Sequence, residues 1–139
     1  MIYKREGKTI ILRLDKGDEM IESVRAVAKR ENVFAAKVSG IGATDDFTVG
    51  VFDTDIGEYE KFEFRGGHEI NSLTGNISEK DGEPYIHLHI TCTGKNCKVV
   101  GGHLISGVIS LTGEIFISII DYKIPRKFDD SLGINRWDL

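Results

Sequence analysis

A helical period appears only once in these 139 residues. In LDKGDEMIESVRAVAKRENV, Met20, Ile21, Val24, Val27 and Ala28 recur at steps of three and four and form one apolar stripe. Asp18 and Glu19 in the first turn and Lys29 and Arg30 in the last suit the helix dipole, and Asn32 is the expected stop. A chain with one helix and many strands has few ways to bury both. Its sheet must curl, or use the helix as a cover.

The strand signals follow in series. KTIILRL (8–14) precedes the helix. VFAAKVSGIGA (33–43) ends in glycines, and DFTVGVFD (46–53) alternates. The acidic turn TDIGE leads to YEKFEF (59–64), and EINSLTGNISE (69–79) follows Gly66-Gly67. DGEP is a turn signal before PYIHLHITCT (84–93). HLISGVISLTGEIFISIIDY (103–122) reads as one strand, or as two joined near Gly107. The tail PRKFDDSLGINRWDL (125–139) is polar and is expected to loop over the surface with Trp137 docked. The predicted fold is α+β: a single domain over 1–139, with a curled, mostly antiparallel sheet packed with one main helix. Sixteen glycines fit a sheet with sharp bends and close backbone approach.

The length is near the commonest domain size. A chain of this size buries roughly two thirds of its unfolded surface and folds without a disulfide or metal. Two cysteines, Cys92 and Cys97, do not make a secreted disulfide framework. The start lacks a signal-peptide pattern, and no run reaches the ~18 apolar residues of a membrane span. The sequence is thus expected to be soluble and cytoplasmic, with no membrane partner. A net charge of −4 weighs against strong nonspecific DNA affinity, although a local basic patch is compatible with it.

Three of the four histidines lie in YIHLHITCTGKNCKVVGGHL. Successive strand residues face opposite ways, so His87, His89 and Thr91 share one face, and apolar Leu88 and Ile90 make the other the core face. Cys92 points away from the histidines. A three-residue hairpin loop, Gly94-Lys95-Asn96, would centre the pairing on Lys95 and set His103 opposite His87, on the same face. A bulge at Gly101-Gly102 would shift that register by one. Three converging neutral imidazoles are the ligand set of an open zinc site, which other transition metals also suit. An open fourth position can acidify bound water to a pKa of roughly 7. Two other readings stay open: a polar pocket without metal, and histidines that share no site. His68 is a weaker fourth candidate. Glu69 and Glu114 are the carboxylates available to orient a ligand or take a proton, the catalytic candidates of this chain. Each also reads as a surface residue, the commoner fate of a carboxylate.

Other motifs carry less. GIGATDDF (40–47) has G-x-G after a strand but neither the third glycine nor a following helix of the dinucleotide fingerprint. Arg65-Gly66-Gly67 lacks the second arginine and the prolines of an AT-hook. Arg25, Lys29 and Arg30 read as a solvated helix face.

Several motifs, taken together and in order, resemble the PPC ("plants and prokaryotes conserved") domain. They are the L-x-x-G…A pattern from Leu14 to Ala28, VSGIGA (38–43), EINSLTGNIS (69–78), HLHI (87–90), GGHL (101–104) and GVISLTGEIFI (107–117). The resemblance spans about residues 3–124 and leaves 125–139 as a C-terminal tail. It implies an antiparallel sheet packed with a helix, and a homotrimer. In plants the domain follows AT-hooks, which contact DNA, while the domain itself mediates self-association and partner binding. Stand-alone prokaryotic members, which this chain resembles, are commonly labelled predicted DNA-binding proteins. This sequence carries no AT-hook. Some prokaryotic members are similar in their three histidines, which implies a bound metal, zinc foremost, at His87, His89 and His103. His68-Glu69 departs from the family, which often has an aromatic before the Glu. The reading that follows is a trimeric module with a histidine metal site and a binding or regulatory role. The alternative is a metal-dependent enzyme acting on a small molecule.

Overall fold

The computed structural model describes residues 1–139. Eight strands and one helix follow the order β1 (Ile2–Glu6), β2 (Thr9–Asp15), α1 (Met20–Arg30), β3 (Ala36–Asp53), β4 (Glu58–Lys80), β5 (Glu83–Thr93), β6 (Val99–Ile119), β7 (Arg126–Asp129) and β8 (Ile134–Trp137). The main sheet runs β1-β2-β6-β3-β4-β5, and β5 also pairs with β6. Every pairing of these strands is antiparallel. The extra pairing closes β6, β3, β4 and β5 into a ring, so the sheet curls as the single-helix pattern requires.

Strands β3 and β4 are each longer than the sequence signals suggest. VFAAKVSGIGA and DFTVGVFD are one strand, bent by register shifts between Gly40 and Gly42 and between Thr44 and Asp46. The glycines of GIGA therefore do not end a strand. A Cβ on Gly42 would stand well inside van der Waals contact with the Thr112 carbonyl oxygen, so glycine lets β6 approach there. YEKFEF and EINSLTGNISE likewise fuse, and HLISGVISL continues into TGEIFIS without a break. Strand β1 is an addition: Tyr3 is its one half-buried residue, so its apolar signal is faint.

The helix lies where the periodicity puts it. Met20, Val24, Val27 and Ala28 are buried, packed with Ile10, Phe47, Ile77, Leu88 and Ile117 in one core cluster. Burying each large side chain stabilises the fold by about 1.5–3 kcal/mol. Glu19 is the N-cap rather than a first-turn residue: its carboxylate accepts from Glu22 N at 2.7 Å and from Gly107 N at 2.9 Å. The cap thus also ties the helix to β6. Asp18 lies outside the helix and accepts from Asp15 N. Asn32 ends the turn in the left-handed region at φ 56°. No helix is long and apolar enough to cross a membrane.

The polar tail is ordered. Residues 126–137 form the β7–β8 hairpin, with Gly133 at φ 68° in its turn. Trp137 is not buried there; it remains 41% exposed.

Candidate metal centre

The pairing of β5 with β6 runs from Thr93↔Val99 to His89↔His103 and stops. Beyond that pair the two strands part, and α1 packs against both. The three histidines sit at this fork. The alternation argument holds: Leu88, Ile90 and Cys92 are buried in the core, while His87 and His89 face outward. The register differs from the three-residue-loop expectation. His103 faces His89, not His87, because residues 94–98 make a longer connection around a 3₁₀ turn at Lys95–Cys97. Asn96 (φ 61°) and Cys97 (φ 56°) adopt left-handed geometry in it. Moving the centre from Lys95 to Asn96 shifts the register by two, an even step, so His103 keeps its face. No bulge interrupts β6 at Gly101-Gly102.

The rings form a nearly equilateral triangle. Centroids are 5.3 Å apart for His87–His89, 5.1 Å for His87–His103 and 5.4 Å for His89–His103. Metal–nitrogen bonds of about 2.0–2.1 Å at tetrahedral angles set imidazole centroids about 5.2 Å apart. One donor atom from each ring lies within 4.8 Å of the other two, a group able to hold a metal ion. The ring atom His103 Nδ1 is buried and has no hydrogen-bond partner. An orphaned imidazole nitrogen in a three-imidazole cluster fits a cation.

The electrostatics favour the neutral form of His87 and His103. Burial, then the neighbouring His103, Arg126 and His89, push the His87 imidazole down to about 4. Burial, then His89, lowers His103 as well. A neutral imidazole is the form that offers a lone pair to a metal.

Two further residues complete the site. The Tyr59 ring, from β4, stacks on His103 at 4.9 Å. Gly50 makes this contact fit, since a Cβ there would stand 2.6 Å from the Tyr59 ring. Arg126, from the hairpin, reaches across the outer face of β4 and β5. It donates from Nε to Ser78 Oγ (2.6 Å), from Nη1 to the Asn135 carbonyl (2.8 Å), and from Nη2 to Asn76 Oδ1 (3.2 Å) and His87 Nδ1 (3.3 Å). Its guanidinium lies 4.5 Å over the Tyr85 ring. A cleft of about 180 Å³ opens between Tyr59, His87, His103, Arg126 and Ile134. Sequence reasoning missed Arg126 because the tail shows no apolar period. The available signal was the turn Asp-Asp-Ser-Leu-Gly between Phe128 and Ile134.

The remaining candidates lie elsewhere. His68 pairs across from Thr44, bonds the Gly66 carbonyl through Nδ1 at 2.7 Å and packs edge-on against Phe47. It takes the place of an aromatic and does not join the triangle. Glu69 and Glu114 are brought to one another's neighbourhood, in a separate hollow with Ile41 and Leu111, and do not line the histidine cleft. Cys92 and Cys97 are both free thiols; burial pushes Cys92 up to about 12.

The model of the Plants and Prokaryotes Conserved (PCC) domain matches residues 1–121. Among solved structures, a candidate DNA-binding protein from Bacteroides thetaiotaomicron is 31% identical, with a TM-score of 0.95 over 99% of this chain and 96% of that one. A metal-containing protein from Archaeoglobus fulgidus is 32% identical, with a TM-score of 0.88 over 100% and 99%. A plant- and prokaryote-conserved protein from Pyrococcus horikoshii is 30% identical, with a TM-score of 0.88 over 99% and 95%. Among curated proteins none matches the chain.

Proposed function

Because the chain belongs to the Plants and Prokaryotes Conserved domain family, we propose that it is a trimeric binding or regulatory module built around one metal ion per chain. His87, His89 and His103 hold the ion. The observation that carries this reading is the triangle of imidazole rings, whose spacing matches a tetrahedral site with one position left open. Zinc suits an open, tetrahedral three-imidazole site, and copper, nickel or iron would bind the same set. The relative from Archaeoglobus fulgidus, described as metal-containing, adds support.

The trimer draws support from the outer face of β2, β6 and β3. Ile11 pairs across from Phe116, which is 50% exposed, and Ile41 and the 70%-exposed Leu111 extend the apolar surface. A lone chain has no reason to leave such a face in water. DNA contact, the description of the Bacteroides relative, finds no counterpart in the charge of this chain, which is −4.

A metal-dependent enzyme is the second reading. The half-enclosed cleft beside the rings favours it, because a small molecule reaching the ion through that cleft would meet Tyr59 and Arg126. Bound there, the ion would supply Lewis acidity, and the chain's own groups would orient the ligand.

Elemental analysis of protein purified without a histidine tag tests the module reading. About one metal per chain is expected in the parent and below about 0.1 in His89→Ala, since open three-imidazole sites hold zinc tightly. Less than about 0.1 in both would remove the metal site.

A further inference from the structure

Arg126 is a half-buried guanidinium with no counter-ion. Its partners are a hydroxyl, a carbonyl, an amide oxygen, an imidazole and an aromatic face. The other arginines that form ion pairs, such as Arg5 with Glu31 and Arg136 with Asp129, do so near the surface. No Asp or Glu lines the cleft into which Arg126 faces. Add a divalent cation on the three imidazoles, and the cleft holds an uncompensated positive charge against a wall of rings. Charges so enclosed demand an anion.

The contact between Arg126 Nη2 and His87 Nδ1 sharpens the point. A neutral imidazole has a single lone pair. In the metal-free chain that lone pair lies at Nδ1 and accepts from the guanidinium. If His87 then binds a cation through Nδ1, the acceptor is taken. If it binds through Nε2, the proton moves to Nδ1 and the acceptor is lost. Either way, metal loading frees an Arg126 N–H that points at the metal's neighbourhood.

We infer that Arg126 and the cleft beside the histidine triangle form a binding site for a small organic carboxylate, which bridges the guanidinium and the metal-bearing centre. This rests on the metal reading above. The class follows from size and lining. About 180 Å³ is below the roughly 300–1,000 Å³ of cofactor and drug-sized pockets, so nucleotides and peptides do not fit. Tyr59, Tyr85 and Ile134 give the cleft apolar walls, which suit a short hydrocarbon tail better than a bare phosphate. A guanidinium matches a carboxylate in planar, two-point geometry.

The test uses cobalt as the metal and propionate as the probe, in the full chain. Visible absorption of the cobalt-loaded protein first reports loading, which decides the metal reading by itself. Propionate is then titrated by absorption and by calorimetry. Saturable binding is expected in the loaded protein, weakened by about tenfold or more both without metal and in Arg126→Lys, which keeps the charge and loses the fork. Emission from Trp137, the sole tryptophan and the residue paired with Arg126, reports whether the hairpin stays docked. If the lysine variant undocks it, Ile134→Phe carries the test: it retains Arg126 and fills the cleft, so propionate binding should fall with cobalt loading unchanged. With cobalt loaded, equal propionate affinity in the docked variant and parent, or no binding, would overturn the carboxylate site and leave the metal site standing. Phosphate binding tighter than propionate would overturn the ligand class. Failure to load cobalt would remove the metal reading and this one with it.

Discussion

Replacing Gly75 with alanine should loosen the metal centre without touching a histidine. Gly75 lies on β4 opposite Leu88, beside the backbone of His87. A Cβ there would overlap the His87 carbonyl oxygen, far inside van der Waals contact, and stand 2.9 Å from Leu88 Cα. Both neighbours are backbone, so no side chain can swing aside, and β4 and β5 must separate locally. Separation sufficient to reach ordinary contact is on the order of 1 Å. That is well beyond the ±0.2 Å or so that a metal site tolerates in its bond lengths. Overpacking of this kind costs about 1–3 kcal/mol. With an unfolding entropy of about 2.1 cal/mol/K per residue, a chain of this length loses roughly 3–10 °C in Tm. Zinc affinity, read by competition with a chelating dye, should fall by about 10–100-fold, as for other disturbances of the groups that orient ligands. Gly67→Ala is the control: it has open space and no left-handed backbone, so both readouts should stay at the parent values. Gly75→Ala with parental Tm and zinc affinity would refute the claim that the β4–β5 spacing holds His87 in place.

Two further outcomes follow from the same geometry. In metal-free protein His87 titrates near 4 when folded and near 6.5 when unfolded, so the unfolded chain takes up the proton first. Stability contributed by the neutral ring is therefore complete above about pH 6.5 and is lost as pH falls toward 4. Urea melts between pH 6.5 and 5 should show a loss of about 1 kcal/mol from His87, discounted for partial exposure, and His87→Asn should make the slope shallower, leaving the smaller part that the lowered His103 contributes; an unchanged slope in that variant would contradict the burial argument. Sedimentation should give three chains of 15.5 kDa for the parent and a single chain for Phe116→Glu, whereas a monomeric parent would exclude the trimer.

Much of this was legible in the sequence where the pattern is local. The stripe from Met20 to Ala28 buries as its period requires, and strict alternation in PYIHLHITCT puts His87 and His89 on one face. Local pattern could not fix what depends on other strands. The register of His103 hung on a left-handed turn at both Asn96 and Cys97; asparagine favours that region, but nothing announces it at the cysteine. Only the parity of the shift preserved the face. Glycines in GIGA looked like punctuation because the strand they let approach lies some seventy residues further along the chain, at Thr112. Arg126 and Tyr59 escaped notice for the same reason: each meets the histidines through tertiary contacts. Glu69 and Glu114 were singled out by residue type alone, and the topology collects them in a hollow away from the rings.

Anomalous X-ray diffraction from crystals of zinc-loaded protein, recorded on both sides of the zinc edge, goes to the heart of the matter. One peak per chain is expected, about 2.0–2.1 Å from a ring nitrogen of each of His87, His89 and His103. A map with no peak among those rings, or with zinc bound only by residues elsewhere, would contradict the metal centre.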